Sequence, residues 1–95
     1  MLTLKDCIEF SGFDVQEIDA IAEHEHLPAM VALEKAAGIL DQSWGAPALR
    51  QMIRDNIDRA RANNRREHAV SLEVVYRRAC VKHPGGIDRR ERSRQ

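Results

Sequence analysis

Aromatic residues are scarce in this 95-residue sequence, and long apolar runs are missing. Only 4% of the residues are aromatic, so a core has to be built from aliphatic side chains and alanine. That composition favours helices over a β-sandwich. No segment approaches the roughly 20 consecutive apolar residues that span a bilayer, so we expect no membrane partner.

The short motifs that mark common catalytic and metal sites are also missing. The sequence has no Cys-x-x-Cys pair, no His-Glu-x-x-His and no nucleophile elbow. Its five glycines form no phosphate loop, since Gly85-Gly86 is not followed by Lys-Ser or Lys-Thr. We therefore predict that the protein is not an enzyme and carries no resident cofactor.

Cysteine usage points to a reducing compartment. Met1 leads into a polar, helix-forming segment rather than a secretory signal, which favours a cytoplasmic location. The only two cysteines, Cys7 and Cys80, are then expected to be unpaired and to behave as small buried hydrophobes.

The arrangement of helix signals predicts one all-α domain. Thr3 and Asp14 are typical helix caps, and Glu17 lies three residues after Asp14, as in a capping box. Proline at position 28 suits a helix start. Together with the apolar spacing, these signals predict a compact bundle of four to five short helices, with the later ones at about 28–40, 47–62 and 65–82. We assign residues 1–83 to this single domain and residues 84–95 to a flexible Arg-rich tail.

The net charge of zero conceals two oppositely charged halves. Residues 1–49 carry nine acidic and two basic side chains, whereas residues 50–95 carry thirteen basic and six acidic ones. Acidic helices packed beside basic ones would explain this division. An Arg-driven nucleic-acid-binding protein is the alternative, since Arg50, Arg54 and Arg61 share one helix face. The acidic half makes nucleic acid the less favoured partner.

The run Glu23-His24-Glu25-His26 groups two of the four histidines with two carboxylates. If the helix persists to residue 26, helical phase places Glu23 and His24 towards solvent, His26 at the edge of the core, and Glu25 on the apolar face. If the helix frays before Pro28, Glu25 lies in water instead. On the apolar face Glu25 would need a cationic partner, for which an arginine of the basic half is the candidate. A divalent transition metal bound through His24 and His26 is an alternative, although a spacing of two places their side chains on different sides.

The last predicted helix has apolar residues on two opposite sides. One side is a normal core face, and the other carries Val70, Val74 and Val81. A helix that is apolar on two sides is buried on two sides. Either this helix is central in the bundle, or the valines contact another chain.

Three segments resemble parts of small proteobacterial proteins of uncharacterised function. They are Leu4-Lys-Asp-Cys-Ile8, Ser11-Gly12 and Ile18-Asp-Ala-Ile-Ala-Glu-His-Glu-His-Leu-Pro28. The resemblance covers most of residues 2–83. It implies an all-helical cytoplasmic protein and transfers no activity and no ligand residues.

These observations favour a small helical protein-interaction or accessory module, acting as a homodimer or on another protein. Val70, Val74 and Val81 are the predicted contact surface, and Glu25 with His26 is a polar feature near the end of the second helix. The alternatives are a metal-binding accessory protein using the Glu23–His26 segment and an Arg-driven nucleic-acid binder.

Overall fold

Local capping interactions start the first two helices. Thr3 Oγ1 accepts a hydrogen bond from the Asp6 backbone N–H at 3.1 Å, and the Asp6 carboxylate accepts one from the Thr3 N–H. Asp14 and Glu17 form the same reciprocal capping box at the second helix. Two groups of helix donors that would otherwise lack partners are thus satisfied within the chain.

A computed structural model describes residues 3–85 and shows five helices and no strand in that range. The helices are α1 (Leu4–Phe10), α2 (Val15–Glu25), α3 (Ala29–Leu40), α4 (Gly45–Ala62) and α5 (Arg66–Lys82). They form the single all-α bundle that the sequence predicts. The tail assigned to residues 84–95 lies outside the described residues, apart from Pro84 and Gly85.

Helix α2 is the centre of the bundle, because it packs against each of the other four helices. Ile18 and Ile21 join a core cluster with α1, α3 and the start of α4. Ala20 joins a second cluster with α4 and α5. Helix α5 packs on α4 and α2 through one face only, so it is not the central helix.

The buried faces differ from the predicted ones where a helix is contacted from two directions. Val15 and Met30 lie at positions where the apolar spacing predicts burial, but they are 38% and 44% exposed. Glu17, Ala20 and Ala32 are buried instead. Glu17 and Ala20 are buried because α2 is central in the bundle. Helix α5 covers a side of α2 that carries no large apolar residue, so the apolar spacing of α2 does not predict burial there.

Helix α4 begins at Gly45, two residues before the predicted start at Pro47. The reason is a close approach of two backbone segments. A Cβ atom at position 45 would lie 1.9 Å from the carbonyl oxygen of Ile39, at the end of α3. Only glycine lets α4 start this close to α3. Gly38 is the opposite case, because a Cβ atom there would meet no atom within 4 Å.

Replacing each of these glycines by alanine should have opposite effects on stability. Gly45→Ala should destabilise the fold by about 1–3 kcal/mol or more, since the added methyl group collides with backbone. Gly38→Ala should stabilise it by about 0.5–1 kcal/mol, because alanine favours an exposed helix interior. Urea unfolding of both variants provides the measurement. Equal free energies of unfolding for the two variants would contradict the close approach of α3 and α4.

Candidate functional site

His24 is held between α2 and α4 rather than exposed to solvent as predicted. Its Nδ1 atom lies 2.7 Å from Glu25 Oε2, and its Nε2 atom lies 3.0 Å from Asp55 Oδ2. Ionised carboxylates only accept hydrogen bonds, so this arrangement is complete when both ring nitrogens carry protons. A metal ion would have to displace one of these contacts to reach His24.

Glu25 has cationic partners, but they are not the arginine that the sequence suggested. Its carboxylate pairs with Lys35 of α3 and with His24. The hydrogen bond from Lys35, and then the one from His24, hold the pKa of Glu25 below its usual value. The partner comes from the acidic half because α3 packs alongside α2 and brings Lys35 to the end of that helix.

His26 ends α2 in the left-handed conformation, with φ 56° and ψ 47°. The backbone N–H groups of His26 and Leu27 both donate to the carbonyl of Ala22, which closes the helix in a Schellman-like turn. The His26 side chain is exposed and lines a cleft that His24 does not line, so the structure does not bring the two histidines to one site. Within residues 3–85, no group of three or more His, Cys, Asp or Glu side chains is arranged to hold a metal ion.

Glu23 also contacts another helix, although it was predicted to be solvated. Its Oε1 atom lies 2.8 Å from His68 Nε2 on the first turn of α5. Both residues line a cleft of about 430 Å³ between α2, α4 and α5. The other residues of this α2–α4–α5 cleft are Ala22, His26, Leu27, Asn56, Arg59, Ala60, Asn63 and Arg65.

The α2–α4–α5 cleft contains two arginines that have no acidic partner among residues 3–85. Arg59 and Arg65 form no ion pair with any residue between 3 and 85. The sequence places Asp55 at pairing distance from Arg59, but the structure directs Asp55 to His24 and to Gln51 instead. Sequence reasoning missed this cleft because its residues come from three helices.

Asn56 lies at the floor of the cleft and is only 1% exposed. Its side-chain N–H donates to the backbone carbonyl of Ala20 at 2.7 Å. Its Oδ1 atom is buried and has no hydrogen-bond partner in the part of the chain that the structure describes. A buried acceptor of this kind is uncommon in folded proteins, and a bound molecule is one of its usual causes.

The predicted valine surface lies on the side of α5 that faces away from the bundle. Val70, Val74 and Val81 are 59%, 45% and 80% exposed. The opposite side of the helix is buried, with Ala69, Leu72, Val75 and Ala79 in the core. The chain between residues 3 and 85 therefore leaves the second apolar stripe of α5 uncovered.

A buried polar cluster joins the start of α2 to the end of α5. Glu17 is 2% exposed and accepts hydrogen bonds from Lys82 Nζ at 2.6 Å and His83 Nε2 at 2.8 Å. The His83 ring also packs on Phe13, with ring centroids 5.1 Å apart. The sequence identified Glu17 only as a capping residue, although its position four residues before Ile21 placed it on a buried face.

The same end of α5 is held by an arginine that was a candidate for phosphate contact. Arg50 is 6% exposed and donates to the carbonyl oxygens of His83 and Gly85 at 2.7 and 2.9 Å. Arg54 contacts Tyr76, and Arg61 pairs with Glu73. The Arg50, Arg54 and Arg61 stripe is therefore engaged inside the chain.

Cys7 and Cys80 are free thiols and are partly rather than fully buried. No helix among residues 3–85 has the length and apolar character to cross a membrane.

No protein-family model, curated protein or solved structure matches the chain.

The left-handed conformation of His26 predicts a gain in stability on His26→Gly. The change should raise the free energy of unfolding by about 0.5–1 kcal/mol, because glycine adopts positive φ without a steric cost. Asn64 provides the control, because among residues 3–85 it is the second non-glycine residue with positive φ, at 59°. Asparagine tolerates this region, so Asn64→Gly should change stability less. Thermal unfolding of both variants checks this, and a loss of stability on His26→Gly would contradict it.

The lowered pKa of Glu25 predicts a pH-dependent contribution to stability. A carboxyl whose folded-state pKa is depressed stabilises the fold above its unfolded-state pKa and loses that effect as the pH falls through the folded-state value. Glu25→Gln should therefore be less stable than the native chain at pH 7, and this difference should disappear near pH 2. Urea midpoints at the two pH values measure it, with Glu9→Gln as an exposed control. A difference that persists unchanged at low pH would argue against the Lys35 contact.

Proposed function

We propose that this protein is a small helical interaction module that forms a homodimer through the outer face of α5. The observation that carries the proposal is the exposure of Val70, Val74 and Val81 on a helix whose other side is buried. Val70 and Val74 lie one turn apart on this face, and Val81 lies further along it, so the face exposes apolar surface that a partner can remove from water.

The charges beside the valines favour a second copy of the same chain as the partner. Glu67 and Arg77 lie on the same face, within about 80° of arc that also contains Val70 and Val74. Both charged side chains are exposed, and neither forms an ion pair within residues 3–85. Between residues 67 and 77 the face is thus apolar at its middle, acidic at one end and basic at the other.

An antiparallel pairing of two α5 helices makes this face complementary to itself. When Val70 opposes Val74 of the partner subunit, Glu67 opposes Arg77 of the partner subunit. A two-fold axis repeats both contacts, as in other isologous interfaces. A parallel pairing would instead bring like charges together at both positions, which is unfavourable.

The size of this contact predicts a weak dimer. Two single helix faces bury less than the roughly 1,200 Å² that marks stable complexes. We therefore expect dissociation constants in the micromolar range or weaker, at which the monomer and the dimer coexist.

Disrupting the valine stripe should leave a folded monomer. Val74→Glu should raise the dissociation constant at least about tenfold, since it places a carboxylate in the apolar centre of the contact. The matched control is Val31→Glu on α3, because Val31 is 44% exposed and Val74 is 45% exposed. Sedimentation velocity between about 10 μM and 1 mM reports the oligomeric state, and circular dichroism confirms that both variants stay helical. A native chain that is monomeric throughout would overturn the proposal.

A charge-exchange cycle tests the antiparallel register. Glu67→Arg and Arg77→Glu should each weaken the dimer by about two- to thirtyfold, and the double variant should restore it. The two positions are ten residues apart on one helix, about 15 Å, so they interact little within a chain. Restoration therefore reports a contact between chains. Additive losses in the double variant would exclude this register.

A further inference from the structure

We propose that the α2–α4–α5 cleft binds the phosphoryl group of inorganic phosphate or of a small phosphate monoester. This site is separate from the proposed dimer contact, because Arg65 and His68 lie on the inner side of α5 and the valines lie on its outer side.

Two guanidinium groups without a partner among residues 3–85 favour an anion as the ligand of the cleft. Arg59 from α4 and Arg65 from the start of α5 both line it, and neither is paired within residues 3–85. Guanidinium groups form charge-assisted and often bidentate hydrogen bonds with phosphate oxygens. The exposed His26 and Asn63 lie at the same cleft and can donate further hydrogen bonds.

The first turn of α5 adds backbone donors at the same place. Arg65 precedes the helix, and no side chain caps it. The N–H groups of the first helical residues therefore lack intrahelical partners and carry partial positive charge. Arg65 and His68 bring this turn to the cleft, where an anion can satisfy those donors.

The buried acceptor on Asn56 favours a phosphoryl group over other anions. Its Oδ1 has no partner within residues 3–85 but is covered by neighbouring atoms, so a ligand that displaces this cover can donate a hydrogen bond to it. A phosphate monoester has a second pKa of about 6 and so carries a P–OH donor on a large share of molecules near that pH. Carboxylates and sulfate are unprotonated there and offer no such donor.

Glu23 carries a negative charge that repels a bound anion. Substitutions of Glu23 and of the arginines should therefore change the affinity for the anion in opposite directions. The Glu23 carboxylate lines the cleft but is held by His68 at 2.8 Å. Removing this negative charge should tighten binding of the anion, whereas removing an arginine should weaken it. A purely structural role for these side chains would not produce opposite effects.

Titration of the full chain with inorganic phosphate and with glycerol 3-phosphate tests the proposal at pH 6 and constant ionic strength. Amide chemical shifts should change at Arg66, Glu67 and His68 and at the Asn56 side chain. Arg59→Gln and Arg65→Gln should each weaken binding about tenfold or more, and Glu23→Gln should tighten it about twofold or more. Arg61→Gln, which removes the same charge from α4 outside the cleft, should leave binding unchanged. Thermal unfolding of each variant confirms that it is folded.

Sulfate and an oligonucleotide distinguish a phosphoryl ligand from other anions and from nucleic acid. Sulfate should bind about three- to tenfold more weakly than the phosphate monoester, because it cannot donate to Asn56. Equal binding of sulfate, or no binding of phosphate at low ionic strength, would overturn the proposal. An oligonucleotide of ten thymidines that binds more tightly than phosphate and depends on Arg59 would also overturn it, in favour of a nucleic-acid surface.

Discussion

The buried carboxylate of Glu17 is the constraint on which the arrangement of the helices depends. An ionised group in a protein interior is costly unless charged or hydrogen-bonding partners surround it. Glu17 meets this condition only when Lys82 and His83 at the end of α5 lie over the start of α2. Arg50 then holds the carbonyl groups that follow α5, so α4 is fixed to the same point. One carboxylate thereby ties three helices together, although they are distant in sequence.

The division of the sequence into an acidic and a basic half follows from this packing. Asp14 faces Arg78 and Lys82, and Glu23 faces His68, so α2 is paired with α5 along its length. Partial burial alone would raise the pKa of Asp14, but the hydrogen bond from the Glu17 backbone and the two nearby cations bring it below its usual value. The opposite charges of the halves are therefore explained in part by contacts inside the chain, which weakens charge asymmetry as evidence for a nucleic-acid partner.

Features that depend on a few neighbouring residues could be predicted from the sequence, and features that depend on packing could not. The starts of α1 and α2 were predictable because Thr3 and Asp14 satisfy donors within three residues. The start of α4 was not, since it depends on the approach of Gly45 to Ile39. The second apolar stripe of α5 followed from helical phase, but that it faces outward follows only from the packing of α5 on α2 and α4. The α2–α4–α5 cleft did not, because Glu23, Asn56 and Arg65 come from three helices, and the Lys35 partner of Glu25 depends on how α3 packs.

The packing of α5 explains why both proposals concern this helix. Its inner face is used by α2 and α4, and its C-terminal end is held by Glu17 and Arg50. Residues 3–85 leave the outer apolar face of α5 uncovered and its N-terminal turn uncapped. These two features need different partners, because valine side chains exclude water whereas backbone N–H groups need an acceptor. They also lie on different sides of the helix, so a protein partner at the outer face leaves the cleft open to an anion.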